Sequence, residues 1–255
     1  MSRVQPSLIS ALFLLFFLIF HATSALAASL SQVVTCSTAE YAGLSEEVAI
    51  SEYSDRASDQ VCAGKVTTAD GSTYKAEFKT NSVGYTKLEV ATVFKTSCQL
   101  LKEAYSHGIQ TQITGPFVDC TESTTGLVFP KLKIQDISVG DESRSDYAFQ
   151  DKAVGDKVLI QAKVNRYAVQ PYPYSGVYCD VQFESDEGFF YAIVYPSKKD
   201  TSKMDPKTVA NKQANMCGTF LDAYFDESIL NLSGSIGGDA GNERALNEIK
   251  IVKTP

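Results

Sequence analysis

Between residues 156 and 165 the apolar side chains Val158, Ile160, Ala162 and Val164 alternate with the polar Lys157, Gln161, Lys163 and Asn165. That period of two predicts a strand with one buried face. The stretch Tyr172 to Tyr195 then reads as two strands, 177–183 and 189–195, joined by a tight turn at Glu187-Gly188, where glycine supplies the backbone freedom the turn needs. From Asp205 to Tyr224 apolar and polar residues mix at helical spacing, with Pro206 placed to start the helix and Val209, Met216, Phe220 and Tyr224 as its buried stripe. Residues 229–236 and 245–252 predict two further strands.

The same order occurs earlier in the chain, with strands near 47–54, 60–67 and 73–79, a helix over 88–106, and strands near 109–115 and 127–135. His107-Gly108 ends that helix, a glycine just past the C-terminus and a histidine beside the last carbonyls. The two series correspond residue by residue. Val61-Cys62 matches Tyr178-Cys179, Cys98 matches Cys217, Ala104-Tyr105 matches Ala223-Tyr224, and Gly115 matches Gly234. Matches in conserved order, at an offset of 117 for the first pair and 119 for the rest, predict an internal duplication.

Three strands, a helix and two strands is the element order of the five-stranded OB barrel. The expected fold is therefore mostly β with one helix per domain, as two tandem five-stranded OB-like barrels. A leader over residues 1–28 precedes domain 1 (29–140) and domain 2 (141–255), with the polar, turn-rich Ser138 to Asp146 as the link. Gly155 to Gln161 (GDKVLIQ) and Leu230 to Ile236 (LNLSGSI) resemble the opening and fourth strands of OB-fold domains. The nearest type is the small tRNA-anticodon-binding-like group of bacterial proteins. The resemblance implies architecture and not activity, and the chain departs from the group by adding cysteines and lacking a basic face.

The amino-terminal residues have Arg3, an apolar run from Leu8 to Phe20 and the small-residue pattern Ala25-Leu26-Ala27, the plan of a secretory signal peptide. The run is shorter than the ~20 residues a membrane span needs. The mature chain is expected to be secreted or periplasmic, with no membrane span. Net charge is −7, and loss of Arg3 with the leader makes it one more negative. An acidic chain without a basic run fits poorly with nucleic acid, whose binding is mostly electrostatic.

All the cysteines lie beyond the leader, an even number as expected in an oxidising compartment. A bridge inherited through duplication must be internal to each copy. This predicts Cys62–Cys98 and Cys179–Cys217, leaving Cys36 and Cys120 to pair by elimination. No closely spaced cysteines of the zinc or redox kind occur, so no metal and no cofactor is expected.

Signals for catalysis are weak. Beyond the leader the only histidine is His107, read as a helix cap. No phosphate loop, zinc-protease motif or nucleophile elbow is present. The acidic clusters Glu46-Glu47, Asp141-Glu142 and Glu184 to Glu187 read as solvated surface, although carboxylates facing each other across a cleft would suit glycan hydrolysis. Asn231-Leu232-Ser233 is a glycosylation sequon, read here as an unmodified strand residue.

Comparing faces singles out the second hairpin. Val177, Cys179, Val181, Phe183, Phe190, Ala192 and Val194 point inward, leaving Tyr178, Asp180, Gln182, Tyr191, Ile193 and Tyr195 outside. The first copy places Val61, Ala63, Lys65, Lys75, Glu77 and Lys79 there. With Tyr167, Tyr172 and Tyr174 in the preceding loop and the glycine-rich Gly237 to Gly241 opposite, the candidate ligand residues are Tyr167, Tyr172, Tyr174, Tyr178, Asp180, Tyr191 and Tyr195. Tyrosines among polar neighbours suit a saccharide or protein. Packing on the other domain or a second subunit accounts for the same pattern. The expected function is an exported, non-enzymatic binding protein. A carboxylate-dependent glycan hydrolase and a single-stranded nucleic-acid binder are the alternatives.

Overall fold

The computed structural model describes residues 43–56, 61–79, 87–122, 128–142, 146–169, 179–194, 206–237 and 245–252. The expected leader and Cys36 lie outside them, as does the side chain of Cys120, and with these the third bridge.

The first unit comprises β1 (Gly43–Arg56), β2 (Val61–Thr68), β3 (Thr73–Lys79), α1 (Lys87–His107), β4 (Thr111–Glu122) and β5 (Val128–Lys133). Antiparallel ladders join β1 to β2 and β2 to β3, a parallel ladder joins β3 to β5, and antiparallel ladders return through β4 to β1. The ring closes as a five-stranded barrel. Period-two burial puts Val66, Ala76, Phe78, Ile113 and Leu132 inside, as the alternation of strand side chains requires. On α1, Cys98, Leu101 and Ala104 are buried along one face. Its last turn is closed by Gly108 N–H donating to the Tyr105 carbonyl at 3.3 Å and Ile109 N–H to that of Ala104 at 3.0 Å, partners that satisfy otherwise orphan carbonyls.

The short strand β6 (Asp136–Val139) follows, where the sequence suggested a link beginning at Ser138. It pairs with β4 on one side and with the next strand, β7 (Lys157–Val169), on the other. The second unit continues with β8 (Cys179–Ser185), β9 (Gly188–Val194), α2 (Pro206–Phe225), β10 (Ile229–Ile236) and β11 (Leu246–Ile251). Here β7 pairs with β8 and β10, β8 with β9, and β10 with β11. A parallel bridge between Tyr191 and Ala245 brings the β9 and β11 edges together. The strand order is that of the first barrel.

Disulfides Cys62–Cys98 and Cys179–Cys217 tie each second strand to its helix. The fourth strands share another constraint. A Cβ on Gly115 would lie 1.9 Å from the Lys133 carbonyl oxygen, and one on Gly234 would lie 2.9 Å from the Asn247 carbonyl oxygen, so both strands need glycine where the fifth strand crosses.

The two barrels meet through more than β6. Helices α1 and α2 pack together, with His107 stacked on Phe225 at 4.6 Å between ring centroids. Ile137 and Val139 of β6 belong to a single apolar cluster running through both units. No helix among the described residues is long and apolar enough to cross a membrane.

Candidate binding surfaces

The β8–β9 hairpin was the expected ligand site. Its inner face is fully packed: Phe183 stacks on Phe190 at 5.2 Å and meets Phe220 of α2 edge-on at 5.2 Å. On the outer face Gln182 and Tyr191 stand opposite each other, and both are buried. The segment between the barrels covers them. Asn165 Nδ2 donates to Gln182 Oε1 at 2.9 Å and to the Asp141 carbonyl at 2.8 Å. Gln182 Nε2 donates to the Tyr191 hydroxyl at 2.8 Å, which donates to Glu142 Oε1 at 3.3 Å. Tyr147 adds a tilted ring 6.2 Å from that of Tyr191.

Gly188 anchors this cover. Its φ is +113°, and a Cβ there would lie 2.0 Å from the Asp146 carbonyl oxygen. The bare backbone lets Phe189 N–H donate to Asp146 and Ala148 N–H to Phe189, the close approach that glycine permits.

The candidate set therefore divides. Tyr191 is engaged beneath the linking segment, and Asp180 is half-buried in β8 opposite Ile193. Tyr172, Tyr174, Tyr178 and Tyr195, with most of the glycine-rich 237–241 loop, lie outside the described residues. Tyr167 is corrected: it belongs to β7 and not to a loop, and its ring is wholly buried. A register shift between Val164 and Arg166 inserts an extra residue, which reverses the faces beyond it and turns Tyr167 inward opposite Val181. Its hydroxyl has no hydrogen-bond partner among the described residues. Burial, with a smaller effect of the Asp222 charge, pushes this phenol far up from its ordinary value.

The corresponding face of barrel 1 is different. Register aligns Glu52, Lys65, Lys75 and Lys131 in one row across β1, β2, β3 and β5. The next outward row places Ala63, Glu77 and Lys133 together, and Lys79 follows on β3. Lys65, Lys75 and Lys79 are exposed. Two contacts moderate the charge, Lys131 with Glu77 and Lys65 with Glu52 at 3.7 Å. Lys75 stands directly between Lys65 and Lys131. Sequence comparison registered these positions as charged, but the β5 lysines were not placed beside them, because parallel β3–β5 pairing joins strands far apart in the chain.

An open cleft of about 460 Å³ lies between the barrels, lined by Glu47, Gln112, Asp141, Glu142, Arg166 and Tyr224 among others. Burial, then the Asp141 charge, pushes the Tyr224 phenol up. Among the described residues its lining is mainly acidic, with Arg166 as the cation, and includes no histidine or cysteine. No cluster of three or more metal-ligating side chains occurs among the described residues.

The strand order defines an OB-like protein of two barrels. No family model matches the chain, and no curated protein matches it. Among solved structures it is similar to one described as "Molecular basis for abrogation of activation of pro-inflammatory cytokines", at 9% identity and TM-score 0.22, covering 83% of this chain and 93% of that one. It is also similar to a murine DNA-binding protein bound to double-stranded DNA, at 10% identity and TM-score 0.22, covering 83% and 100%. A tetrameric p202 HIN2 structure matches at 7% identity and TM-score 0.22, covering 83% and 96%. Likeness at this level carries no argument, so the architecture rests on the ladders themselves.

Proposed function

We propose that this is an exported, non-enzymatic binding protein that holds an acidic saccharide across the β2–β3–β5 face of barrel 1. The observation that carries the reading is the Lys65–Lys75–Lys131 row. Like charges directly opposed on neighbouring strands destabilise a sheet. A row that weakens the barrel is accounted for by a ligand that neutralises it, and OB barrels offer this face to polymers. The charge is also segregated: lysines dominate here while the whole chain carries −7.

A saccharide is favoured over single-stranded nucleic acid because nucleic-acid grooves add aromatic platforms for the bases. Among the described side chains, the row Glu52, Lys65, Lys75 and Lys131 holds no aromatic ring. Export is supported by the leader pattern and by two bridges of the kind that persist in oxidising compartments.

The test is titration of the mature protein with a sulfated or uronate oligosaccharide at low salt, alongside a single-stranded oligonucleotide. Saccharide binding that weakens with salt and is lost in Lys75→Glu is expected. No saccharide binding, or binding indifferent to Lys75→Glu, refutes the proposal. Tighter binding of the oligonucleotide transfers the face to nucleic acid.

A further inference from the structure

We infer that Asn231 is an N-glycan acceptor and that its sugar covers an apolar patch on the outer wall of barrel 2. The inference rests on export, and its test separates the two. In β10, Leu232 is fully buried, so Asn231 and Ser233, the acceptor and hydroxyl of the sequon, share the opposite face. Asn231 stands opposite Gln161, whose Nε2 donates to Asn231 Oδ1 at 2.9 Å. That bond uses the carbonyl oxygen, which glycosylation leaves in place.

The surroundings supply the second observation. Ile229 precedes Asn231 on the same face and is 59% exposed, and Leu159, directly opposite Ser233, is 72% exposed. Two large aliphatic side chains thus flank the acceptor, with Val252 exposed beside it on the other edge of β10, on a wall that also includes Lys157, Gln161 and Ser235. Direct and diagonal neighbours on a sheet lie within roughly 5 to 8 Å, the reach of the first sugars of a glycan rooted at Asn231. Their apolar ring faces would cover both residues.

In the transfer, Asn231 Nδ2 attacks the anomeric carbon of a lipid-pyrophosphate-linked oligosaccharide. A C–N bond forms, the C–O bond to pyrophosphate breaks, the lipid pyrophosphate leaves, and the amide proton passes to a base of the transferase. No redox change occurs.

The chain should be expressed in a eukaryotic secretory host behind the host's own leader, so that failure of the natural leader cannot obscure the result. A single glycoform is expected. Glycosidase release in heavy-oxygen water should convert Asn231 to a labelled aspartate. Asn231→Gln and Ser233→Ala should both be secreted at the unmodified mass. The deglycosylated protein should bind an apolar dye more strongly than the intact one, and Leu159→Ser should reverse that gain. Recovery of unmodified Asn231 from secreted, disulfide-bonded protein overturns the acceptor assignment. Equal dye binding before and after release overturns the covering role.

Discussion

Replacing Tyr167 with phenylalanine should stabilise the protein. Most changes to a fully buried aromatic do the opposite. Tyr167 stands on β7 between β6 and β8, its side chain has no exposed surface, and its hydroxyl has no partner among the described residues. Burying a hydroxyl without a compensating hydrogen bond costs about 1–3 kcal/mol by mutational measures. Phenylalanine keeps the ring and removes the oxygen, so Tyr167→Phe should recover about 1 kcal/mol, less a small loss of packing. For a chain of this size that is roughly 2–4 °C in Tm. Tyr191→Phe is the control. It removes a hydroxyl bonded to Gln182 and Glu142 and should cost about 1–2 kcal/mol by leaving buried Gln182 short of a partner. Denaturant unfolding with an unchanged slope would make the two midpoints comparable. A lower midpoint for Tyr167→Phe would mean that the hydroxyl is satisfied, and the reasoning would fail.

Other expectations follow from the same structure. Breaking either bridge by a double cysteine-to-alanine change should cost about 4 kcal/mol in the chain-entropy picture, given separations of 36 and 38 residues; a loss below 1 kcal/mol in calorimetry would contradict it. Gly188→Ala forces a Cβ against the Asp146 carbonyl at a φ of +113° and should cost about 1–3 kcal/mol, with faster amide exchange at Ala148. The Tyr53 phenol is pushed up from 10.0 to about 12, first by burial and then by the Asp55 charge and the hydrogen bond to its carboxylate. Because the folded value exceeds the unfolded one, this stability is present below pH 10 and lost as pH rises through about 12. Tyr53→Phe should therefore show a shallower alkaline fall in Tm, and identical profiles for the two proteins would refute the assignment.

The correspondence between the two series of residues made much of the architecture legible. Strand β10 falls at 229–236 as expected, and both cysteine pairs join a second strand to its helix, as the matched positions predict. The glycines matched at 115 and 234 prove to be where two strands cross too closely for any side chain. Three features were hidden for physical reasons. The extra residue between Val164 and Arg166 breaks a period-two pattern without any compositional mark, so extrapolating the alternation puts Tyr167 on the wrong side. The burial of Tyr191 depends on Asp141, Glu142 and Tyr147 lying against the hairpin, and no local pattern encodes which segment covers a face. Strand β6 is too short to announce itself: its first two residues fall just past the strand expected at 127–135, and its last two fall within the expected link.

Strand β6 also bears on the order in which the chain is made. It follows the first barrel and pairs with β4 before β7 exists to claim its other edge. During synthesis the completed first barrel would therefore display a bare row of backbone donors and acceptors. That row serves as a template for β7, but until β7 arrives it is equally open to another copy of the chain. A fragment ending at residue 140 would carry this edge permanently and should self-associate, whereas the full chain closes it by folding.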